Sequence, residues 1–198
     1  MLILLAHGAG APSSSAWMLA WKERLASLAT VVTFDYPYMR EGRRSPDPLP
    51  RLVTAHREAL ARASAEHDGP LVLAGKSMGS RVGCHVALEE SSVRALVCFG
   101  YPLSSPGKRK IVRDEVLLRL RVPILFVQGT RDSLGPLDLL EQVRAKMEAP
   151  SSVYRVEGGD HSLNVSASVL KASGQTQADA DARMLAAIDT FLRAHVSA

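Results

Sequence analysis

The chain has 198 residues, of which 46% are hydrophobic and 22% are charged, and its formal net charge is +4. These values are ordinary for a soluble globular protein, so we expect a single domain over residues 1–198. Every apolar run is far shorter than the roughly 20 residues of a membrane-spanning helix, and we expect no membrane partner. The charge excess is modest and no basic motif contains interleaved aromatic residues, which argues against nucleic acid as a partner.

Two cysteines, Cys84 and Cys98, are the only ones in the chain. One falls in a predicted helix and the other in a predicted strand, which favours reduced, buried thiols and a cytoplasmic location over a disulfide framework. The N-terminal apolar run lacks the basic leader and the cleavage site of a signal peptide. Cysteine and histidine never recur with metal-ligand spacing, so we expect no metal.

Apolar runs alternate with amphipathic stretches throughout the chain. This alternation predicts an α/β fold in which a parallel sheet is covered by helices on both faces. Six mainly parallel strands are predicted, at residues 2–6, 31–34, 71–74, 94–99, 123–127 and 153–156. We expect the second strand to lie outside the first, so that the chain reverses direction between the first and third strands.

Five helices are predicted between and after these strands. Ser13, Ser14 and Ser15 are candidate caps for the first helix, and Asp47 is the predicted N-cap of the second. Irregular stretches at residues 35–50 and 100–121 should emerge at the carboxyl ends of strands, and both are too short for a separate lid domain. Residues 162–178, rich in Ser, Ala and Gln, are predicted to be a mobile loop.

The most informative motif is Gly-Lys-Ser-Met-Gly at residues 75–79, which fits G-x-S-x-G between a predicted strand and a predicted helix. That setting is typical of a nucleophile elbow, where a sharp turn presents the serine hydroxyl to a cleft. Ser77 is therefore a candidate nucleophile. The alternative is that Ser77 only caps the following helix, a position that favours serine.

Asp132 and His161 follow Ser77 at the ends of later strands, in the order Ser, Asp, His of an α/β-hydrolase. A serine hydroxyl needs a neighbouring base, and imidazole, with an ordinary pKa of about 6.5, is suited to that role. Asp132 would hold the imidazole tautomer and stabilise imidazolium. Asp138 and Asp160 are the alternatives, but we expect Asp138 in the first turn of a helix and Asp160 to point away from His161.

Residues 7–10, His-Gly-Ala-Gly, follow the first predicted strand and form a turn that can supply an oxyanion donor. The backbone N–H groups of Ala9 and Met78 are the predicted oxyanion-hole donors. His7 is expected to shape this turn through hydrogen bonds to the backbone.

Extended to residues 75–81, Gly-Lys-Ser-Met-Gly-Ser-Arg, the elbow resembles that of a small branch of the α/β-hydrolases. This branch includes the testis-expressed hydrolase-like proteins and the hydrolase-like subunit of the non-specific-lethal acetyltransferase complex. Further matching pieces lie at residues 101–103, 113–115, 122–129 and 160–162. The resemblance implies a compact α/β-hydrolase fold and little about the substrate. Lys76 stands where these relatives usually have arginine, and it keeps the charge without the planar fork.

These features predict a cytoplasmic, cofactor-independent serine hydrolase that cleaves small ester or thioester bonds through an acyl-enzyme on Ser77. An acyltransferase or a peptidase would use the same residues. A hydrolase-shaped interaction module with a vestigial triad is the alternative from another class. The sequence leaves the natural substrate and the oligomeric state open.

Basic side chains are concentrated in two stretches, residues 36–51 and 101–121, which include Lys108 and Arg109. We name four candidates to face the substrate: Lys76, Arg43, Arg44 and Arg113. A positive field at the mouth of the site would favour an ester that carries a carboxylate or a phosphate. The alternative is a solvated face that only keeps the protein soluble.

Arg81 lies on the helix that follows the elbow and could reach back toward the cleft. It could also pair with Asp114 or Glu115. We expect a structural ion pair with one of them.

Overall fold

A computed structural model describes residues 1–104 and 112–196. The described residues form six strands, which are β1 (Leu2–Ala6), β2 (Thr30–Phe34), β3 (Leu71–Lys76), β4 (Val93–Phe99), β5 (Ile124–Gly129) and β6 (Ser151–Val156). They also form eight helices, which are α1 (Ala16–Leu25), α2 (Pro37–Arg40), α3 (Leu49–Ser64), α4 (Met78–Ala87), α5 (Glu115–Arg119), α6 (Leu137–Arg144), α7 (Ala167–Ser173) and α8 (Gln177–His195).

All six strands belong to one parallel sheet with the order β2-β1-β3-β4-β5-β6. The predicted strand order is confirmed, because β2 lies outside β1 and β3 lies on the other side of β1. The predicted strands differ from the observed ones by at most two residues at each end. Parallel strands place their carboxyl ends at one edge of the sheet, where loops from several strands can meet.

Strand β1, which lies next to the edge strand β2, shows why the sheet needs a layer on each face. All five of its residues are buried. Leu2 and Leu4 pack in one core with residues of α3 and α4, while Ile3 and Leu5 pack in a second core with α1 and α8. Because side chains alternate along a strand, a strand that is apolar throughout is stable only between two apolar layers.

Two local predictions were wrong. Asp47 does not cap α3, whose N-cap position is Pro48. The Asp47 carboxylate instead accepts a hydrogen bond from the Tyr38 N–H at 3.0 Å and faces two arginines. A buried carboxylate with several donors is better satisfied there than at a helix end, where it could accept one or two bonds.

The predicted loop at residues 162–178 contains α7 and the start of α8. Gly174 ends α7 with a φ of 63°. Thr176 then begins α8 with a capping box, in which its side chain and that of Asp179 each accept a bond from the other's backbone. Ser and Ala tolerate either state, so these caps decide the local structure.

Across the part of the chain that the structure describes, we find no helix with the length and apolar character needed to cross a membrane.

Candidate active site

Ser77 lies at the sharp turn between β3 and α4, with φ 51° and ψ −114°. A non-glycine residue rarely adopts positive φ, and such strain persists only where the surroundings impose it. The Ser77 N–H donates to the Phe99 carbonyl at 2.9 Å, which ties the turn to β4. Ser77 occupies the N-cap position of α4, but its side chain makes no capping bond. The capping role considered from the sequence is therefore wrong, and the hydroxyl is free for another partner.

Both glycines of the motif are required by close backbone approach. A Cβ at Gly79 would meet the carbonyl oxygens of Ala6 at 2.5 Å and His7 at 2.7 Å, both in or next to β1. A Cβ at Gly75 would overlap the backbone of Gly79 and Ser80. Glycine is needed at both positions of G-x-S-x-G because the start of α4 packs against β1 and β3 without room for a Cβ.

His161 joins Ser77 to Asp132 through two hydrogen bonds. Its Nε2 lies 2.8 Å from the Ser77 Oγ, and its Nδ1 lies 2.7 Å from the Asp132 Oδ2. Ser77, Asp132 and His161 come from the loops after β3, β5 and β6. An imidazole held in this way can accept a hydroxyl proton at Nε2 while its Nδ1–H donates to the carboxylate.

Asp132 is buried and has a full set of hydrogen-bond donors. Its Oδ1 accepts from the N–H groups of Leu134 and Gly135 at 2.9 and 3.3 Å. Its Oδ2 accepts from the Gln128 Nε2 at 2.7 Å in addition to His161. The carboxylate is therefore fixed in one orientation, because each oxygen is held by two donors.

Gln128 is the residue of this site to which the sequence analysis assigned no role. It is fully buried in β5, where its Oε1 accepts from the Tyr101 N–H and its Nε2 also donates to the Gly135 carbonyl. The available signal was a polar residue inside an apolar strand, four positions before Asp132. A buried amide needs hydrogen-bond partners. Gln128 is held by its bonds to Tyr101 and Gly135, and its bond to Asp132 helps to position the carboxylate.

The two sequence alternatives to Asp132 lie where they were expected. Asp138 occupies the first turn of α6. The Asp160 Oδ1 accepts from the N–H groups of Ser162 and Asn164 and so stabilises its own turn. Neither carboxylate contacts the His161 ring.

The turn after β1 contributes a residue to the lining of the cavity at Ser77. Ala9 and Met78 both line that cavity, and neither N–H donates to another described residue. The Gly8 carbonyl, which belongs to the same peptide as the Ala9 N–H, lies 2.6 Å from the His7 Nδ1, and the Tyr38 hydroxyl donates to the Ala9 carbonyl at 3.0 Å. Two unpaired N–H groups beside a hydroxyl can bind a developing oxyanion.

His7 shapes this turn, as expected. Its Nδ1 lies 2.6 Å from the Gly8 carbonyl, and its Nε2 accepts from the Tyr36 N–H at 3.1 Å. Burial lowers the pKa of His7, which keeps the imidazole neutral despite Asp35 nearby. A neutral ring with one donor and one acceptor satisfies both contacts.

The cavity next to Ser77 has a volume of about 420 Å³. Its walls are mainly apolar, with Pro46, Leu49, Leu52, Pro102 and Leu134 among the lining residues. Two basic residues, Arg81 and Arg113, also belong to this lining. The volume suits a small organic molecule.

The four residues that were predicted to face the substrate differ in whether they line the cavity. Arg113 lines the cavity. Arg43 and Arg44 are not among the described residues that line it, and the Arg43 Nη2 pairs with Glu41 at 2.7 Å and Asp47 at 2.6 Å. Lys108 and Arg109 lie outside the described residues.

Lys76, the fourth candidate, also contacts protein groups. Its Nζ donates to the Ser162 hydroxyl at 3.0 Å and lies 5.1 Å from the centroid of the Trp17 ring. The Trp17 Nε1 donates to the Ser162 carbonyl at 2.9 Å. Burial lowers the pKa of Lys76, while the nearby carboxylates of Asp160 and Asp132 oppose that shift. Lys76 and Trp17 together fasten the turn that carries His161.

The ion pair expected for Arg81 does not form. Within the described ranges, Asp114 and Glu115 do not come within 4.0 Å of the Arg81 guanidinium nitrogens. Arg81 lies one helical turn after Ser77, where its N–H donates to the Ser77 carbonyl at 3.2 Å, and it is one of the residues that line the cavity.

Among residues 1–104 and 112–196, we find no group of three or more His, Cys, Asp or Glu side chains arranged to hold a metal ion. The site instead consists of a hydroxyl, an imidazole, a carboxylate and backbone donors.

Comparison with known protein families agrees with the fold described above. The sequence profile of the family described as "Alpha/beta hydrolase domain" matches residues 1–193. The chain belongs to the alpha/beta hydrolase family. The specific branch named from the sequence is not distinguished by this match.

Solved structures show the same fold at low identity. DcsB in complex with its substrate analogue is 15% identical, with a TM-score of 0.77 over 100% of this chain and 91% of that one. The esterase domain of a Rhodothermus marinus protein is 17% identical, with a TM-score of 0.68 over 99% and 88%. Est1E from Butyrivibrio proteoclasticus, bound to ferulic acid, is 16% identical, with a TM-score of 0.65 over 87% and 85%.

Proposed function

We propose that the protein is a cofactor-independent serine hydrolase that cleaves small carboxylic ester or thioester bonds through an acyl-enzyme on Ser77. The observation that carries this proposal is the continuous chain of hydrogen bonds from the Ser77 Oγ through His161 to Asp132. Family membership and fold supply only the general class, since one fold supports many chemistries.

In the first half of the reaction, the Ser77 Oγ attacks the substrate carbonyl carbon and its proton passes to the His161 Nε2. Asp132 accepts the Nδ1–H bond and stabilises the imidazolium. The N–H groups of Ala9 and Met78 donate to the oxyanion of the tetrahedral intermediate. The intermediate then collapses, the bond to the leaving oxygen or sulfur breaks, and His161 returns the proton to that atom.

In the second half, water attacks the acyl-enzyme while the His161 Nε2 accepts one of its protons. A second tetrahedral intermediate forms on the same two N–H donors. Its collapse breaks the bond to the Ser77 Oγ, which regains a proton from His161, and a carboxylic acid leaves. Another acceptor in place of water would make the protein an acyltransferase, and an amide substrate would make it a peptidase.

Three finer assignments accompany this proposal. We place the chain in the branch of the testis-expressed hydrolase-like proteins on the strength of residues 75–81. A cytoplasmic location is consistent with the free, buried Cys84 and Cys98. The substrate is a small molecule, because the cavity holds about 420 Å³.

A fluorophosphonate probe tests the proposal directly, since it reacts only with an activated serine. We expect it to label Ser77 in the wild-type protein and to leave Ser77→Ala unlabelled. Ser92→Ala, a substitution at an exposed serine, should label like the wild type. If folded wild-type protein is neither labelled nor able to cleave esters, the interaction module with a vestigial triad becomes the better explanation.

A further inference from the structure

Among residues 1–104 and 112–196, Arg81 and Arg113 are the cationic residues that line the Ser77 cavity, and both are half-buried. They reach it from different elements, Arg81 from α4 and Arg113 from the segment before α5. Both arginines also border a second cavity, which is lined by His85 and Glu115 among others. Of these two cavities, the one at Ser77 contains the candidate nucleophile, and an arginine there can contact a bound substrate.

No described carboxylate forms an ion pair with either arginine, although Glu115 lines the second cavity beside them. Among residues 1–104 and 112–196, no Asp or Glu oxygen lies within 4.0 Å of either guanidinium. Residues 105–111 contain no Asp or Glu at all. Asp47 also lines the cavity, but its side chain is only 2% exposed and is held by Arg43, Arg51 and the Tyr38 N–H.

The two guanidinium groups also repel each other. Burial, and after it the positive charge of Arg81, lowers the pKa of Arg113. Like charges that share a partly desolvated site are costly unless an opposite charge joins them. A bound anion would remove that cost, because each guanidinium presents a planar fork of donors to an oxyanion.

The backbone holds Arg113 at this place from both sides. Its N–H donates to the Leu103 carbonyl at 2.8 Å, and its own carbonyl accepts from the Tyr101 hydroxyl at 3.3 Å. The Tyr101 N–H in turn donates to Gln128, the residue that orients Asp132. Arg113 is thus anchored to the same framework as the Asp132 carboxylate.

We propose that Arg81 and Arg113 form an oxyanion-binding subsite, and that the natural substrate is an ester or thioester with a carboxylate or phosphate a few bonds from the scissile carbonyl. This inference rests on the proposed function and names its substrate class. The anion lies between the two guanidiniums, and the apolar walls hold the chain that joins it to the carbonyl at Ser77.

Three pairs of esters test the subsite, each pair differing only in the anion. Mono-p-nitrophenyl adipate and its methyl ester carry the charge on the acyl side. The p-acetoxybenzoate anion and its methyl ester carry it on the leaving group. The p-acetoxyphenyl phosphate anion and its dimethyl ester replace carboxylate by phosphate. The measured quantity is the ratio of kcat/KM for the charged ester to kcat/KM for the neutral one.

We expect a ratio of about ten or more in at least one pair at low salt, and the responding pair identifies the side and the kind of anion. Arg81→Gln and Arg113→Gln should each lower that ratio about tenfold, because each removes a charge-assisted interaction. Arg81→Lys and Arg113→Lys should lower it less, because they keep the charge without the fork. Arg57→Gln, a matched change in an exposed pair with Glu89 and Glu90, should leave the ratio at the wild-type value.

A binding measurement separates failure of this inference from failure of the proposed function. Isothermal titration of Ser77→Ala with each charged ester needs no turnover. Binding that weakens when Arg81→Gln or Arg113→Gln is added supports the subsite even if Ser77 proves unreactive. Ratios near one in all three pairs, or ratios and binding that do not respond to either arginine, would overturn the inference while leaving probe labelling of Ser77 intact.

Discussion

The two sides of the site are built in different ways. The Ser77 side is the five-residue stretch 75–79, which spans the end of β3 and the start of α4 and is held by backbone contacts that tolerate no Cβ at Gly75 or Gly79. The His161 side brings together the loops after β5 and β6, held by the side chains of Gln128 and Lys76. Damage to the contacts that hold the first side should therefore abolish function, whereas damage to the side chains that hold the second should reduce it in steps.

The largest effect is expected where the two sides meet. Ser77→Ala and His161→Ala should each lower kcat by roughly 10⁴- to 10⁶-fold, and the double variant should lose little more, because these groups act as a unit. Steady-state kinetics with a neutral p-nitrophenyl ester measures kcat for each variant. Additive losses would mean that the 2.8 Å contact between these side chains is not used in the reaction.

Gly79→Ala probes the backbone-held side. Its Cβ would press on the carbonyls of Ala6 and His7, so we expect a loss of about 1–3 kcal/mol in unfolding free energy together with loss of activity. Gly83→Ala is the matched control on the same helix, since the nearest atom to its Cβ is 3.6 Å away. It should keep or raise stability, because alanine is the better helix former. Urea unfolding measures the stability of each variant, and ester turnover measures its activity. Equal stability and equal activity of the two variants would contradict the packing argument.

Gln128→Leu probes the side held by side chains. It removes the donor to the Asp132 Oδ2 and leaves the Tyr101 N–H and Gly135 carbonyl without partners. Unsatisfied buried groups cost about 1–3 kcal/mol, and we expect kcat to fall about tenfold to a hundredfold. KM for a neutral ester should change little, because the Gln128 side chain does not line the cavity. A rise in KM with unchanged kcat would instead assign Gln128 to substrate binding.

The smallest effect is expected at Lys76. Lys76→Met removes the bond to Ser162 and the cation over Trp17, and should lower kcat about threefold to tenfold. Burial lowers the pKa of Lys76, so its ammonium loses a proton at a lower pH than an exposed lysine does, and the contribution of the cation declines as pH rises through that value.

A pH profile separates this effect from simple loss of packing. Lys76→Arg stays charged throughout and should flatten the alkaline decline, while Lys171→Met, at an exposed lysine on α7, should reproduce the wild-type profile. An alkaline decline that persists in Lys76→Arg would show that another group is responsible.

The two sides also differed in how well they could be predicted. The elbow could be recognised because its chemistry depends on five consecutive residues and on the strand before them. Asp132 and His161 could be chosen from their order and their positions after strands. The role of Gln128 could not, since its partners come from Tyr101, Asp132 and Gly135, and no periodic pattern brings these together.

Electrostatic predictions from the sequence failed more often, and for the same reason. Arg43 was a candidate to face the substrate, yet its charge is neutralised by Glu41 and Asp47. Arg81 was expected in an ion pair, yet it lines the cavity without one. A count of charges in a loop does not say which side chains find partners.

The sequence by itself determined the alternation of strands and helices and the strand order, and it supplied Ser77, Asp132 and His161 as candidates, because periodicity and tight turns are properties of neighbouring residues. Only the tertiary structure decided which charges are neutralised, what orients the Asp132 carboxylate and where the Lys76 ammonium binds. Those outcomes depend on side chains from segments far apart in the chain, whose contacts exist only once the sheet has brought the ends of its strands together.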